Sequence, residues 1–398
     1  MKYFTNFSSN KIFVAKLALY LFKLSGVATV NCKIEATSDN KNIKHWKFTT
    51  STYSIIYNTF LICTIVALSS IIFHQELKLN LKLDHFKVTV LYMTEHVRFA
   101  LASIITLLIY SFNQKKIIKV LSSANDIRYL ANAMNEPNGE ILSVKNATTL
   151  FLIYALFCCL IFTTWPFRSA AQICYLVREF VCYSINCSLL IQYSIILLLL
   201  RQYFQFVNNS LSDMVEEARL KVTIARKGSN TMEAKKKLSD LRLLHSSLRQ
   251  VSREVSSFYS LPMLLNSINI FFIVIFNIFY ALEVSILTKY DSAVYDIIYS
   301  VLHVILYVIL LIVLTTNVSN TMSESRKTGQ VVSDYLQVTE NPEIVDRLYK
   351  FSNYLDSGKT EFTVYNLFSL DESLLVSMTS TTVTYFIIVT QFQNWSRQ

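Results

Sequence analysis

Uncharged, apolar stretches recur along the whole chain and are separated by polar segments. Runs of span length, rich in Leu, Ile, Val and Phe, lie at 48–73, 146–167, 180–200, 255–282, 297–323 and 373–396. A membrane helix needs about 20 such residues. A shorter run at 99–114 reaches span length when 88–98 are added, which brings Glu95, His96 and Arg98 to or into the membrane. The pattern predicts an all-α membrane protein with seven transmembrane helices. Inside the polar segment 208–258, Leu241, Leu244, Leu248, Val251 and Val255 recur at spacings of three and four. This is the stripe of a helix, and it runs into the fifth span without a Gly or Pro break, so that helix projects into the cytosol. The stripe is either a seam facing a partner helix or subunit, or packing within one subunit.

Charge sets the orientation. With the N-terminus inside, the inner segments carry 28 Lys and Arg and the outer segments 6. Basic residues are retained on the cytoplasmic side, so the N-terminus is expected to be cytoplasmic and the C-terminus extracellular. This asymmetry explains the net charge of +10 without a nucleic-acid partner. Hydrophobic residues make up 53% of the chain, with 5 Gly and 4 Pro, which is too apolar and too poor in turn residues for an ordinary soluble protein. The expected organisation is a cytoplasmic segment with an amphipathic helix (1–47), a six-helix transmembrane bundle (48–323), a cytosolic anchor (324–371), and a seventh helix with a short extracellular tail (372–398). Residues 12–30 are apolar on average, but Lys16 and Lys23 interrupt them and no small-residue cleavage site follows. They read as an interfacial segment and not as a signal peptide.

The orientation is the reverse of a G-protein-coupled receptor. No Asp-Arg-Tyr follows the third span, and Asn341-Pro342 lies in a polar segment. A transporter would carry internal repeats and matched helix breaks, and with Pro only at 137, 166, 262 and 342 that signal is absent. Seven cysteines include no C-x-x-C pair, so they fit buried thiols better than a disulfide framework or zinc site. No metal-ligand spacing, phosphate loop or nucleophile elbow is present. The chain is therefore not expected to be an enzyme or to hold a metal or cofactor.

Two groups of residues carry candidate chemistry. In the last run, Ser373, Ser377, Thr381, Thr384, Ile388 and Gln391 fall at spacings of 4, 4, 3, 4 and 3, one face of a helix. Such a stripe suits a pore wall, where water and ions need partners, or hydrogen bonding between packed helices. The second group is ionisable and aromatic and lies toward the outer ends of the spans. Tyr92, Glu95, His96 and Phe99 share a face of the second span, and Tyr299 and His303 share one on the sixth with Asp296. With Trp165, Tyr175 and Tyr183 they define a candidate ligand pocket of aromatic faces and a few polar handles. Ionisable groups in hydrocarbon usually face a cavity, which suits His96 and His303. Asp296, Glu283, Arg178 and Glu179 read as solvated groups at the membrane boundary.

The C-terminal third carries a more specific pattern. Arg326-Lys327-Thr328-Gly329 follows the sixth span, and Phe362-Thr363-Val364-Tyr365-Asn366-Leu367-Phe368-Ser369-Leu370-Asp371 precedes the seventh. Within the last run, Thr384-Tyr385, five residues, and Gln391-Phe392 complete it. Over residues 319–392 the chain resembles the insect gustatory receptors, whose last helix bears a Thr-Tyr, five-apolar, Gln-Phe signature. It departs in a polar fifth spacer, Thr390, and in Ser377-Met378-Thr379-Ser380 where small residues are usual. The resemblance implies a fold similar to that of insect odorant receptors. It implies a homo- or heterotetramer acting as a ligand-gated, non-selective cation channel in the plasma membrane, with sensory neuron dendrites as its site. Each subunit would bind a small-molecule tastant in the outer half of its bundle, surrounded by membrane lipids. The last helix would line the pore, with Gln391 and Phe392 near the outer gate and Tyr385 supporting the wall. Bitter compounds are the broadest ligand class in that family; sugars and contact pheromones stay open. A metabotropic seven-helix chemoreceptor and an odorant-receptor-like subunit are the alternatives.

Overall fold

The computed structural model describes residues 19–36, 44–80, 86–134, 170–224, 231–287 and 292–395. Helices dominate: α1 (Thr52–Asn80), α2 (Phe86–Phe112), α3 (Gln114–Ala133), α4 (Ala170–Ile224), α5 (Thr231–Leu287), α6 (Ser292–Val338), α7 (Pro342–Asp356) and α8 (Glu372–Trp395). Six of the seven predicted spans fall on α1, α2, α4, α5, α6 and α8; the run at 146–167 lies outside the described residues. The stretches Thr52–Gln75, Ile173–Leu220, Met232–Ile278 and Ser300–Val338 are long and apolar enough to cross a bilayer. Val97–Phe112 and Gln114–Ala131 meet the same measure only when taken together, across a bend of 68°. Two short antiparallel hairpins, β1 (Val30–Ala36) with β2 (Lys44–Thr50) and β3 (Thr363–Val364) with β4 (Phe368–Ser369), interrupt the helices. Neither hairpin was among the expected elements, although Val30–Ala36 alternates apolar and polar residues with the period of a strand.

Residues 19–24 form a helical turn that ends where the chain needs glycine. Gly26 has φ +75°; its N–H donates to Lys23 O at 3.1 Å and that of Val27 to Phe22 O at 3.0 Å. Both bonds satisfy end carbonyls of the turn. A Cβ on Gly26 would lie 2.5 Å from Asn58 Oδ1 and 2.6 Å from Leu107 Cδ2. The turn is thus wedged against α1 and α2, and Asn58 Nδ2 donates to Gly26 O, Leu107 O and Ser111 Oγ at 3.1, 3.4 and 3.0 Å.

α4, α5 and α6 hold 55, 57 and 47 residues, lengths of roughly 70–85 Å against a hydrocarbon core of about 30 Å. Each therefore continues well beyond the bilayer. Leu241, Leu244, Leu248, Val251 and Val255 are all buried within this one chain, so the stripe on α5 packs internally. Neighbouring polar groups lock the extensions together. Asn208 on α4 donates to Glu324 O and Oε2 at 2.9 and 3.1 Å, and Thr328 Oγ1 donates to Asn208 Oδ1 at 2.6 Å. α7 starts at Asn341, whose side chain accepts from the N–H groups of Glu343 and Ile344, with Pro342 at the first helical position. That is the favoured chemistry of a helix start. Its apolar face, Ile344, Leu348 and Phe351, is buried.

His245 lies in the centre of this assembly, about three turns before the apolar half of α5. Its ring meets Phe204 at 5.4 Å, Phe351 at 5.8 Å and Tyr354 at 6.0 Å. Burial, followed by the nearby Arg249 charge, lowers its pKa from 6.5 to about 4, against an opposing pull from the Ser325 backbone. The unfolded imidazole takes a proton near pH 6.5 and the folded one only near 4. Its neutral form therefore stabilises fully above pH 6.5, and that contribution is lost as the pH falls toward 4, roughly 3 kcal/mol in all. Thermal unfolding of purified protein should lose stability on acidification through this window, and His245→Phe should flatten that slope. An equal slope in the variant would mean that other groups carry the acid sensitivity.

Candidate functional site

The segment leading into α8 explains its own sequence pattern. Phe362, Val364 and Leu370 are buried, and the turn between β3 and β4 places Tyr365 (φ 48°) and Asn366 (φ 57°) in the left-handed region. Asn tolerates that region better than most residues. Asp371 then starts α8: its Oδ1 accepts from Ser373 N at 3.0 Å and Ser373 Oγ at 2.5 Å, and its Oδ2 from Ser369 Oγ at 2.8 Å. Burial pushes the Asp371 pKa up, but the hydrogen bonds from Ser373 and Ser369 outweigh it and hold the carboxyl below its usual range. A negative group at a helix N-terminus is also favoured by the helix dipole.

α8 packs against α5 and α6 along one edge. Leu374, Leu375 and Met378 meet the core, and the ring of Tyr385 lies 6.4 Å from that of Phe271 on α5. The opposite face is bare. Ser373, Ser377, Thr381, Thr384, Ile388 and Gln391 are all exposed in the single chain. Hydroxyls of Ser377, Thr381 and Thr384 donate to the carbonyls four residues earlier, at 3.0, 2.8 and 3.0 Å. Each oxygen keeps acceptor capacity for water or a cation. At the foot of this face a cleft of about 630 Å³ opens between α6 and α8, where Arg326 and Lys327 stand with Asp371 and Glu372.

At the far end of the bundle α2, α4, α5 and α6 converge on a buried aromatic and polar cluster. Tyr183 is central: its hydroxyl lies 3.3 Å from His303 Nδ1, and its ring is 4.8 Å from Phe99, 4.7 Å from His303 and 5.8 Å from Tyr307. Arg178 pairs with Glu179, and its guanidinium lies 5.4 Å from the half-buried Tyr175 ring. Only 1% of Arg178 and 5% of Glu179 is exposed. The expectation of solvated boundary groups therefore fails for both. Neighbouring opposite charges let this pair enter the bundle together, where either alone would be very costly. Arg98 donates to Asn269 on α5, and its guanidinium lies 5.2 Å from Phe272. Deeper in the bundle, Asn186 Nδ2 donates to Ser103 Oγ at 3.0 Å and Asn266 Nδ2 to Asn186 Oδ1 at 3.5 Å.

The structure thus brings Tyr183 and His303 together and sets Tyr175 beside Arg178. The side chains of Tyr92, Glu95, His96, Tyr299, Asp296, Glu283 and Phe392 lie outside what is described, as does Trp165 entirely. Phe99, which shares the helical face of Tyr92, Glu95 and His96 and was expected in the pocket with them, does lie against Tyr183. Tyr307, Asn186 and Asn269 join the cluster unexpectedly; for the two asparagines, an amide inside an apolar run was the available signal, because each needs a partner in hydrocarbon.

A family model described as 7tm Chemosensory receptor matches residues 15–395. Two Drosophila melanogaster proteins named as gustatory receptors 28a and 28b align locally. The first is 37% identical over 75 residues (19% of this chain, 17% of that protein) and the second 35% identical over 71 residues (18% and 15%). The alignments therefore span less than a fifth of either relative's length. The insect olfactory receptor OR5 of Machilis hrabei superposes with a TM-score of 0.66 at 13% identity, covering 96% of this chain and 98% of that one. Its complex with eugenol superposes with a TM-score of 0.61 over the same shares.

Proposed function

This chain belongs to the 7tm chemosensory receptor family, and we propose that it is a gustatory receptor that acts as a ligand-gated, non-selective cation channel. The observation that carries the reading is the bare polar face of α8. A lone membrane helix gains nothing from six aligned positions of this kind. Four such faces around an axis would give water and cations oxygen partners at Ser373, Ser377, Thr381, Thr384 and Gln391, with the apolar Ile388 between the last two. In this reading the chain assembles as a homo- or heterotetramer in the plasma membrane of sensory neuron dendrites, with residues 324–371, including α7, and the inner extensions of α4 and α5 as the cytosolic anchor. The basic asymmetry supports a cytosolic N-terminus in this reading. Sequence similarity to two proteins named as gustatory receptors supports taste as the modality.

The ligand, a small-molecule tastant, would enter the cluster around Tyr183 and His303. Support comes from the buried aromatic walls and polar handles there, which suit a compact organic molecule, and from the eugenol complex of the Machilis receptor. Bitter compounds are the first class to test. Whole-cell currents from cells expressing the receptor should appear with an active tastant. Tyr183→Phe or His303→Ala should then shift the half-maximal concentration by about tenfold, the equivalent of one buried hydrogen bond, while surface expression persists. Ligand responses unchanged in both variants would move the site elsewhere.

A further inference from the structure

We propose that the corner where the 19–26 turn, the start of α1 and the α2–α3 bend meet is a seat for an anionic phospholipid of the adjacent leaflet. The proposal needs only that α1 and α2 cross the bilayer; it does not depend on channel activity. Hydrogen bonds fix the corner. Tyr57 Oη donates to Leu24 O at 2.7 Å, Asn58 ties Gly26 to Ser111, and Ser51 and Gln114 exchange two bonds of 3.2 Å between the head of α1 and the head of α3. The 68° bend at Asn113 turns α3 away from the direction of α2. In this proposal α2, without α3, crosses the bilayer, and α3, so turned, runs along the membrane surface.

What this corner shows to its surroundings is apolar body and cationic tip. Tyr20, Leu24 and Phe112 are 66%, 65% and 82% exposed, far more than large apolar groups in contact with water would tolerate as a patch. Lys23, Lys115 and Lys116 are exposed beside them. None of the three has an ion-pair partner among the described residues, whereas Lys119, one turn further on, pairs with Glu254 at 2.9 Å. Asn58 is seven residues into α1 from Ser51, so the turn bearing Lys23 sits about 10 Å deeper than Lys115 and Lys116. A lysine at that depth extends its stem along apolar surface and raises its ammonium to the headgroup layer. All three ammonium groups then reach one layer, and a phosphatidylserine headgroup supplies the matching negative charge while its chains cover Tyr20, Leu24 and Phe112. A zwitterionic headgroup offers the lysines no net charge.

The test titrates delipidated receptor in detergent with phosphatidylserine or phosphatidylcholine and reads the first bound lipid by native mass spectrometry. Phosphatidylserine should bind more tightly, and its affinity should fall with salt. Each of Lys23→Gln, Lys115→Gln and Lys116→Gln should weaken it about fivefold, the effect of one basic residue at an anionic surface, with phosphatidylcholine binding unchanged. Lys236→Gln with Lys237→Gln, on the part of α5 remote from the bilayer, should leave it intact. Equal loss in that control, or full phosphatidylserine binding in the triple variant, would overturn the proposal. So would a change of oligomeric state in place of lipid affinity, because the corner would then be a subunit contact. Should the triple variant fail to fold, photoactivatable phosphatidylserine on the parent protein decides the matter. Adducts are expected on residues 19–24 and 112–116, and their absence there overturns the seat.

Discussion

Arg249→Ala should strongly destabilise the receptor. Arg249 is buried on α5, and its guanidinium lies 3.9 Å from the centre of the Tyr354 ring. It donates to Tyr354 O at 3.1 Å, Gly358 O at 2.6 Å and Ser357 Oγ at 3.4 Å. Those acceptors are at the end of α7, where the last carbonyls of a helix have no partner of their own. One side chain thus closes α7, seats it on α5 and fills the space beside His245. Hydrogen bonds to a charged donor contribute about 1.5–3 kcal/mol each and a desolvated cation–π contact about 2. Because such terms are not additive, a loss of roughly 3–5 kcal/mol is the reasonable expectation. That is a large part of the 5–15 kcal/mol typical of a folded domain. Fluorescence-detected size exclusion should show the monodisperse peak collapse for Arg249→Ala. Arg249→Lys, which keeps charge but loses the planar fork, should fall between. A variant with parental yield and melting temperature would mean that α7 is held by its apolar face alone.

Much of this architecture is legible in the sequence, because the two dominant signals are local. Span-length apolar runs marked α1, α4, α5, α6 and α8, and the 3–4 spacing from Leu241 to Val255 gave the internal extension of α5. The second span was the least distinct, since Glu95, His96 and Arg98 interrupt it; α2 nonetheless runs unbroken from Phe86 to Phe112. The β1–β2 hairpin was missed although β1 carries the period of a strand: Val30, Cys32, Ile34 and Ala36 alternate with Asn31, Lys33 and Glu35, but the run is short and its partner strand, with two lysines and a histidine, is mostly polar. Nor was the role of Arg249, which looks like any basic residue of a cytosolic segment until α7 folds back onto it.

The candidate sites divide in the same way. The stripe on α8 depends only on helical periodicity within one element, so its common face follows directly from the sequence. The cluster around Tyr183 is assembled from four helices. Tyr183 and His303 were found as individual polar residues in apolar runs, but their contact, and the burial of Arg178 with Glu179, are tertiary facts. The lead-in to α8 carried a recognisable pattern at Phe362–Asp371. Its physical meaning, three buried anchors and a helix cap, needed the fold.

In the proposed channel α8 lines the ion path, with Gln391 and Phe392 at its outer gate. In a tetramer, four copies of Phe392 around a narrow passage would hold it closed chiefly by excluding water, and the amide of Gln391 would solvate a cation once the rings move aside. Removing one such ring from each subunit should shift the closed–open balance by at least the burial of one aromatic group, about 1.5–3 kcal/mol, or tenfold or more in ligand-free current. Gln391→Glu would place up to four carboxylates at the mouth and favour divalent over monovalent cations. Tyr385 lies off the stripe and against Phe271, so its loss should lower expression more than it alters selectivity. The most direct measurement is whole-cell current with ion substitution in well-expressed Phe392→Ala and Gln391→Glu receptors. A pore lined by α8 should show raised basal current in the first and a calcium-dependent shift of reversal potential in the second. Basal current and reversal potential equal to the parent's in both would contradict it and remove α8 from the ion path.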